Sequence, residues 1–156
     1  MASGAVEIHA GHEHATIVKD DGSLWVFGSK WSGRLGEYSR YDRYTPVQVV
    51  DSGVVSACAG KENTLFVKTD GSLWGMGHNK HGQMMIDPLI SQFKNRPWKI
   101  LDGGVRAVDN DAMHTLLVME DGSMLTFGRD AWGQLGSGRM VWSAEPVLIK
   151  AGLPTE

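Results

Sequence analysis

The chain has 156 residues, a formal net charge of −3 and a single cysteine, Cys58. So small and negative a charge gives no broad electrostatic pull toward nucleic acid or an anionic membrane. One cysteine excludes an internal disulfide and a thiolate zinc cage. The 42% hydrophobic and 21% charged fractions are those of a globular domain, but 20 glycines are many and need a reason.

In chain order, the first predicted element is the short β-rich run Gly4-Ala5-Val6-Glu7-Ile8, with a small turn at Gly11. His14-Ala15-Thr16-Ile17-Val18 reads as a buried strand. Asp21-Gly22-Ser23 closes it, since Asp-Gly tolerates the positive φ of tight antiparallel turns. The returning strand Leu24-Trp25-Val26-Phe27 ends at Gly28. Gly33 follows, then Arg34-Leu35-Gly36, and a polar loop runs to Pro46. That proline is expected to start a last apolar strand, Val47-Gln48-Val49-Val50, where it costs no ladder hydrogen bond.

Each feature then returns. The second copy runs through Gly53-Val54-Val55-Ser56-Ala57, Gly60, Asn63-Thr64-Leu65-Phe66-Val67, Asp70-Gly71-Ser72, Leu73-Trp74-Gly75-Met76, Gly77, Gly82 and Pro97. The third runs through Gly104-Val105-Arg106-Ala107-Val108, Asp111, His114-Thr115-Leu116-Leu117-Val118, Asp121-Gly122-Ser123, Met124-Leu125-Thr126-Phe127, Gly128, Gly133 and Pro146. Asp21 and Asp70 stand 49 residues apart, Asp70 and Asp121 51 apart. The middle loop, Ile86-Asp87-Pro88-Leu89-Ile90-Ser91, carries two extra residues, which places it outside the core. No helix is signalled; Leu89 to Lys94 could form a turn at most.

The chain therefore reads as one repeat domain over 1–156, with repeats at about 4–50, 53–101 and 104–150. Four short strands per copy make one small antiparallel sheet, and such sheets set radially make a β-propeller. The fold class expected is all-β, with three propeller-type blades. His14, Asn63 and His114 align as a hydrogen-bonding core position. Gly22, Gly71 and Gly122 align in the turns. Gly28, Gly77 and Gly128 pair with Gly33, Gly82 and Gly133.

His/Asn-Thr/Ala-x-x-Val, Asp-Gly-Ser-Leu/Met and Gly-x-x-x-x-Gly-Gln/Arg-Leu/Met together resemble the repeat of the regulator of chromosome condensation family. The resemblance covers Gly4 to about Lys150. It implies blades of four strands and, in typical members, a ring of about seven. Members include an exchange factor for the small GTPase Ran, ubiquitin-ligase subunits and secreted β-lactamase inhibitors; what they share is protein binding. Three blades are fewer than propellers usually need to close. The chain is thus expected to self-associate, two copies closing a ring of about six blades, or to be an excised or engineered piece of a longer propeller.

The chemical motifs read mostly as structure. Gly28-Ser29-Lys30-Trp31-Ser32-Gly33 begins like a phosphate loop but continues Arg34-Leu35, without the Lys-Ser/Thr and the helix that chemistry needs. His12-Glu13-His14 offers two imidazoles and no third ligand nearby in sequence. Cys58 lies in an apolar strand and reads as an inert core residue. Asp109-Asn110-Asp111 reads as a hydrogen-bonded turn. No catalytic set, metal site or cofactor is signalled, and a non-enzymatic protein-binding module is expected. The alternatives are nucleotide exchange on a small GTPase and an enzyme or lectin-like module with its site at the blade mouths, whose support is the His-rich loop of His78 and His81.

The candidate binding residues lie between the paired glycines: Lys30 and Trp31; His78, Lys80 and His81; Arg129, Asp130 and Trp132. These segments vary inside a constant frame, as a binding surface on a scaffold does. Packing is the competing reading for His81, Trp132 and Trp31. The loop Glu37-Tyr38-Ser39-Arg40-Tyr41-Asp42-Arg43-Tyr44 is a second candidate. The opening residues lack the basic and apolar parts of a secretory leader, which with the lone cysteine points to a cytoplasmic or nuclear location.

Overall fold

The computed structural model describes residues 4–36, 41–140 and 142–149. These form three four-stranded antiparallel meanders. Blade 1 holds β1 (Ala5–Ala10), β2 (His14–Lys19), β3 (Leu24–Gly28) and β4 (Arg43–Val50). Blade 2 holds β5 (Val54–Ala59), β6 (Asn63–Lys68), β7 (Leu73–His78) and β8 (Phe93–Leu101). Blade 3 holds β9 (Val105–Asp111), β10 (His114–Met119), β11 (Met124–Gly128) and β12 (Ser143–Ile149). No helix among the described residues is long and apolar enough to cross a membrane.

Each Asp-Gly-Ser turn is clamped in one way. Asp21 Oδ1 accepts from Ser23 N at 2.9 Å and Ser23 Oγ at 2.5 Å, and Trp25 Nε1 donates to Ser23 Oγ at 2.9 Å. Asp70, Ser72 and Trp74 repeat the set. In blade 3 Asp121 and Ser123 keep it, while Leu125 stands where the other copies have tryptophan. The hydroxyl and amide donated to these carboxylates hold their pKa values below the usual carboxylate range.

The same turns join the blades. Gly22 O accepts from Val54 N at 2.9 Å, and Gly71 O from Val105 N at 3.0 Å. The first two turns thereby start the first strand of the next blade.

Side-chain alternation then gives every blade a forward face, toward the next blade, and a rear face, toward the preceding one. Val18, Val26 and Leu35 of blade 1 pack on Ala57, Phe66 and Met76 of blade 2. Leu65, Leu73 and Met84 of blade 2 pack on Val108, Leu117 and Phe127 of blade 3. Blade 2 is buried on both faces, so Asn63 to Val67 are all buried, whereas β2 and β10 bury alternate residues of opposite parity. A fully buried Leu or Phe contributes about 2 kcal/mol by leaving water, so the two interfaces carry the core.

Two local expectations are corrected. Pro46, Pro97 and Pro146 lie inside β4, β8 and β12 and do not start them. These are outer strands, and their pairing slips between Val26 and Gly28, Gly75 and Gly77, and Thr126 and Gly128. A bulged edge tolerates a residue without an N–H. Asp109-Asn110-Asp111 is the end of strand β9 and not a turn, with Asn110 Nδ2 donating to Thr115 Oγ1 at 2.9 Å. The inserted loop lies outside the core only in part: Leu89 and Ile90 are exposed, while Pro88 is buried and Ile86 packs against the cluster between blades 2 and 3.

Candidate functional site

The glycine-framed loops all leave the same end of the blades. Gly28, Gly77 and Gly128 have φ of 113°, 103° and 108°. A Cβ there would strike the carbonyl of the turn before the second strand, within 2.4–2.5 Å of Glu13, Glu62 or Met113 O. Glycine lets the chain fold against that turn. The next residue then donates to the same carbonyl: Ser29 N to Glu13 O, His78 N to Glu62 O, Arg129 N to Met113 O, at 2.8–2.9 Å.

The second residue after the glycine staples the loop. Asn79 Oδ1 accepts from Met84 N at 2.9 Å, and its Nδ2 donates to Ile86 O and Ser91 O. Asp130 does the same in blade 3, accepting from Leu135 N at 2.9 Å and Ser137 Oγ at 2.7 Å. Asp130 is fully buried. It is therefore a loop staple and is not available to a partner, which corrects its sequence assignment.

Lys30 occupies this position in blade 1 and cannot accept hydrogen bonds. There the loop is held by Asp42 Oδ1, which accepts from Lys30 N at 3.0 Å, and by Arg34, whose Nε donates to Trp31 O at 2.9 Å. Arg34 is buried, with Nη1 3.3 Å from Glu13 Oε2 and 2.8 Å from Lys61 O of blade 2. The sequence reading passed over this residue. Its signal was the break in pattern, arginine where the other copies have Gln83 and Gln134, whose side chains accept from His81 N and Trp132 N.

On this frame Trp31 is 69% exposed and Trp132 84% exposed, so neither packs against its blade. Lys80 and Arg129 are exposed, and Lys30, His78 and His81 are half-buried. His78 Nδ1 lies 3.3 Å from Glu62 Oε2. Burial lowers the pKa of His78 against the opposing charge of Glu62, and burial with the Arg129 charge lowers that of His81, so both rings are neutral at neutral pH. Of the second candidate loop, residues 37–40 lie outside the described residues; Tyr41 and Tyr44 are exposed.

His14, Asn63 and His114 behave according to their blade. His14 is buried and its Nε2 lies 2.8 Å from Thr64 Oγ1. Thr64 spends its hydroxyl hydrogen on Arg34 O at 2.8 Å, so His14 Nε2–H is the donor. Burial and the Arg34 charge lower the His14 pKa to about 4. Asn63 is fully buried, and His114 is half-buried on the forward face of blade 3. His12 turns outward and lies 3.8 Å from Glu13, so it and His14 do not converge. Cys58 is buried, and burial with the Asp109 charge raises its pKa, so the thiol is inert.

Residues 54–83 match the regulator of chromosome condensation (RCC1) repeat. No curated protein sequence matches the chain. Among solved structures, the chain is similar to yeast RCC1 (Prp20) bound to Kap60, with TM-score 0.82 and 17% identity over 97% of this chain and 39% of that one. Prp20p from Saccharomyces cerevisiae, studied for its binding to Gsp1p and histones, gives TM-score 0.80 and 18% identity over 94% and 38%. Human WBSCR16 gives 0.79 and 21% over 94% and 39%. The chain spans about two fifths of the length of these proteins. Strand order, the repeated turn and the match of residues 54–83 agree: the chain carries a regulator of chromosome condensation (RCC1) repeat at 54–83, set among three blades whose fold is similar to that of RCC1 propellers.

Proposed function

We propose that the chain is a non-enzymatic protein-interaction module, and that its partner docks on the end of the blades where the glycine-framed loops emerge. The observation that carries this is the pair of tryptophans, Trp31 and Trp132, held exposed by loops whose backbones are hydrogen-bonded into the blades. Exposing an indole has no folding benefit, and rigid aromatic anchors flanked by cations are what binding hot spots are made of. Lys80 and Arg129 beside them favour a partner with apolar sockets and an acidic rim.

The Prp20p relative binds Gsp1p and histones, and another structure shows the yeast protein with Kap60. These three proteins are the natural first probes. Each would be titrated against the immobilised chain and against a Trp31→Ala/Trp132→Ala double variant. The expected result is binding of at least one probe that weakens about tenfold or more in the variant, with unchanged circular dichroism. Binding that is equal in both proteins, or none to any probe, overturns the reading. Nucleotide exchange is tested separately by release of labelled GDP from a small GTPase; no acceleration by the chain removes that alternative.

A further inference from the structure

We propose that the forward face of blade 3 is a docking site for the rear face of blade 1 of a second copy of this chain, so that copies join head to tail. The molecule shows how such a contact is made, because it contains the same interface twice. In both cases a forward face meets a rear face, a turn glycine carbonyl takes the first strand N–H of the incoming blade, and an incoming threonine donates to a loop carbonyl. That last bond is Thr64 to Arg34 O and Thr115 to Gln83 O.

Among the described residues, the rear face of blade 1 and the forward face of blade 3 are the unpaired halves of this interface. On the rear face of blade 1, Ile8 is 75% exposed, while its equivalents Ala57 and Val108 are 2% and 8% exposed in the blades that have a predecessor. On blade 3, a Cβ on Gly122 or Gly133 would meet nothing within 4 Å. At the matching glycines a Cβ would lie 2.7 Å from Gly53 N (Gly22), 2.9 Å from Gly104 N (Gly71), and 2.3 and 2.7 Å from Asn95 and Ala144 (Gly33 and Gly82). Leu116, the forward-face equivalent of the buried Leu65, is only half-buried. The occupant that fits is a blade beginning with Gly-Ala/Val and offering a rear face of Ile or Phe, and blade 1 of a second copy is such a blade. One element is weaker than in the interior: Ala15 stands where Thr64 and Thr115 supply the hydroxyl.

The contact is heterologous, so two copies close a ring only if the arc of each allows it, and otherwise chains grow. Light scattering after size exclusion, at about 1–100 μM, is expected to give a mass of twice 17.0 kDa or a higher multiple. Ile8→Asp and Leu116→Asp each disable one face and are expected to leave monomers alone. Mixed one to one they are expected to restore a pair, because each keeps the face the other lacks. Ala15→Thr supplies the missing donor and is expected to tighten association about fivefold. A wild-type mass of 17.0 kDa throughout this range overturns the proposal, as does association that neither aspartate variant weakens. Ala15→Thr keeps the test decisive if an aspartate variant misfolds: no tightening counts against it.

Discussion

His14 couples a blade interface to pH. Its pKa is about 4 in the folded chain, against an ordinary value of 6.5. As pH falls, the unfolded chain takes up the proton first, so the folded state has its full stability above about pH 6.5 and loses it progressively toward pH 4. The loss amounts to about 3 kcal/mol. His78 and His81 shift the same way but stand nearer solvent and add less. The three turn aspartates lie below the usual carboxylate range and lose their part only at more acid pH. Urea unfolding followed from about pH 7 to pH 4 checks this. The wild type should lose stability across the range, and His14→Asn, which installs the residue of blade 2, should flatten the slope. An equal slope in both would assign the effect elsewhere.

At the scale of the element, the Asp-Gly-Ser turn acts both as a hairpin and as a joint. Gly22 has φ of 75° and Gly122 84°, so alanine strains the backbone at either site, by about 1 kcal/mol. At Gly22 alanine also collides with Gly53 N of the next blade; at Gly122 it meets open space. In the unassociated chain, Gly22→Ala is therefore expected to cost about 3 kcal/mol or more and Gly122→Ala about 1 kcal/mol, by chemical denaturation at low protein concentration. Equal costs would show that the turn has no joining role. The turns, strands and blade order were legible in the sequence because they rest on local chemistry repeated three times. The starts of the outer strands were not, since Pro46 and its equivalents sit at bulges inside β4, β8 and β12 that only the pairing partner reveals. Asp130 was misread because its carboxylate looks like a surface charge; its alignment with Asn79, a residue equally suited to stapling a loop, was the available clue. Whether Trp31 and Trp132 pack or protrude depends on space beside the blade, which no local pattern encodes.

At the scale of the whole molecule, stability is distributed unevenly. Blade 2 is covered on both faces and blades 1 and 3 on one each, as in a short linear array whose ends have one neighbour. In the unassociated chain, at concentrations too low for copies to join, amide exchange should be slowest in β6 and β7 and faster, about tenfold or more, in β2 and β10; protection that is uniform across the blades under those conditions would mean that the chain opens as one unit. Cys58 lies in the interface between blades 2 and 3, and it is the chain's sole thiol. The molecule thus carries a built-in reporter. A thiol reagent added to the unmodified protein has a single target, which it reaches only when blade 3 lifts away from blade 2. The rate of its capture reads the lifetime of that joint without any engineered label.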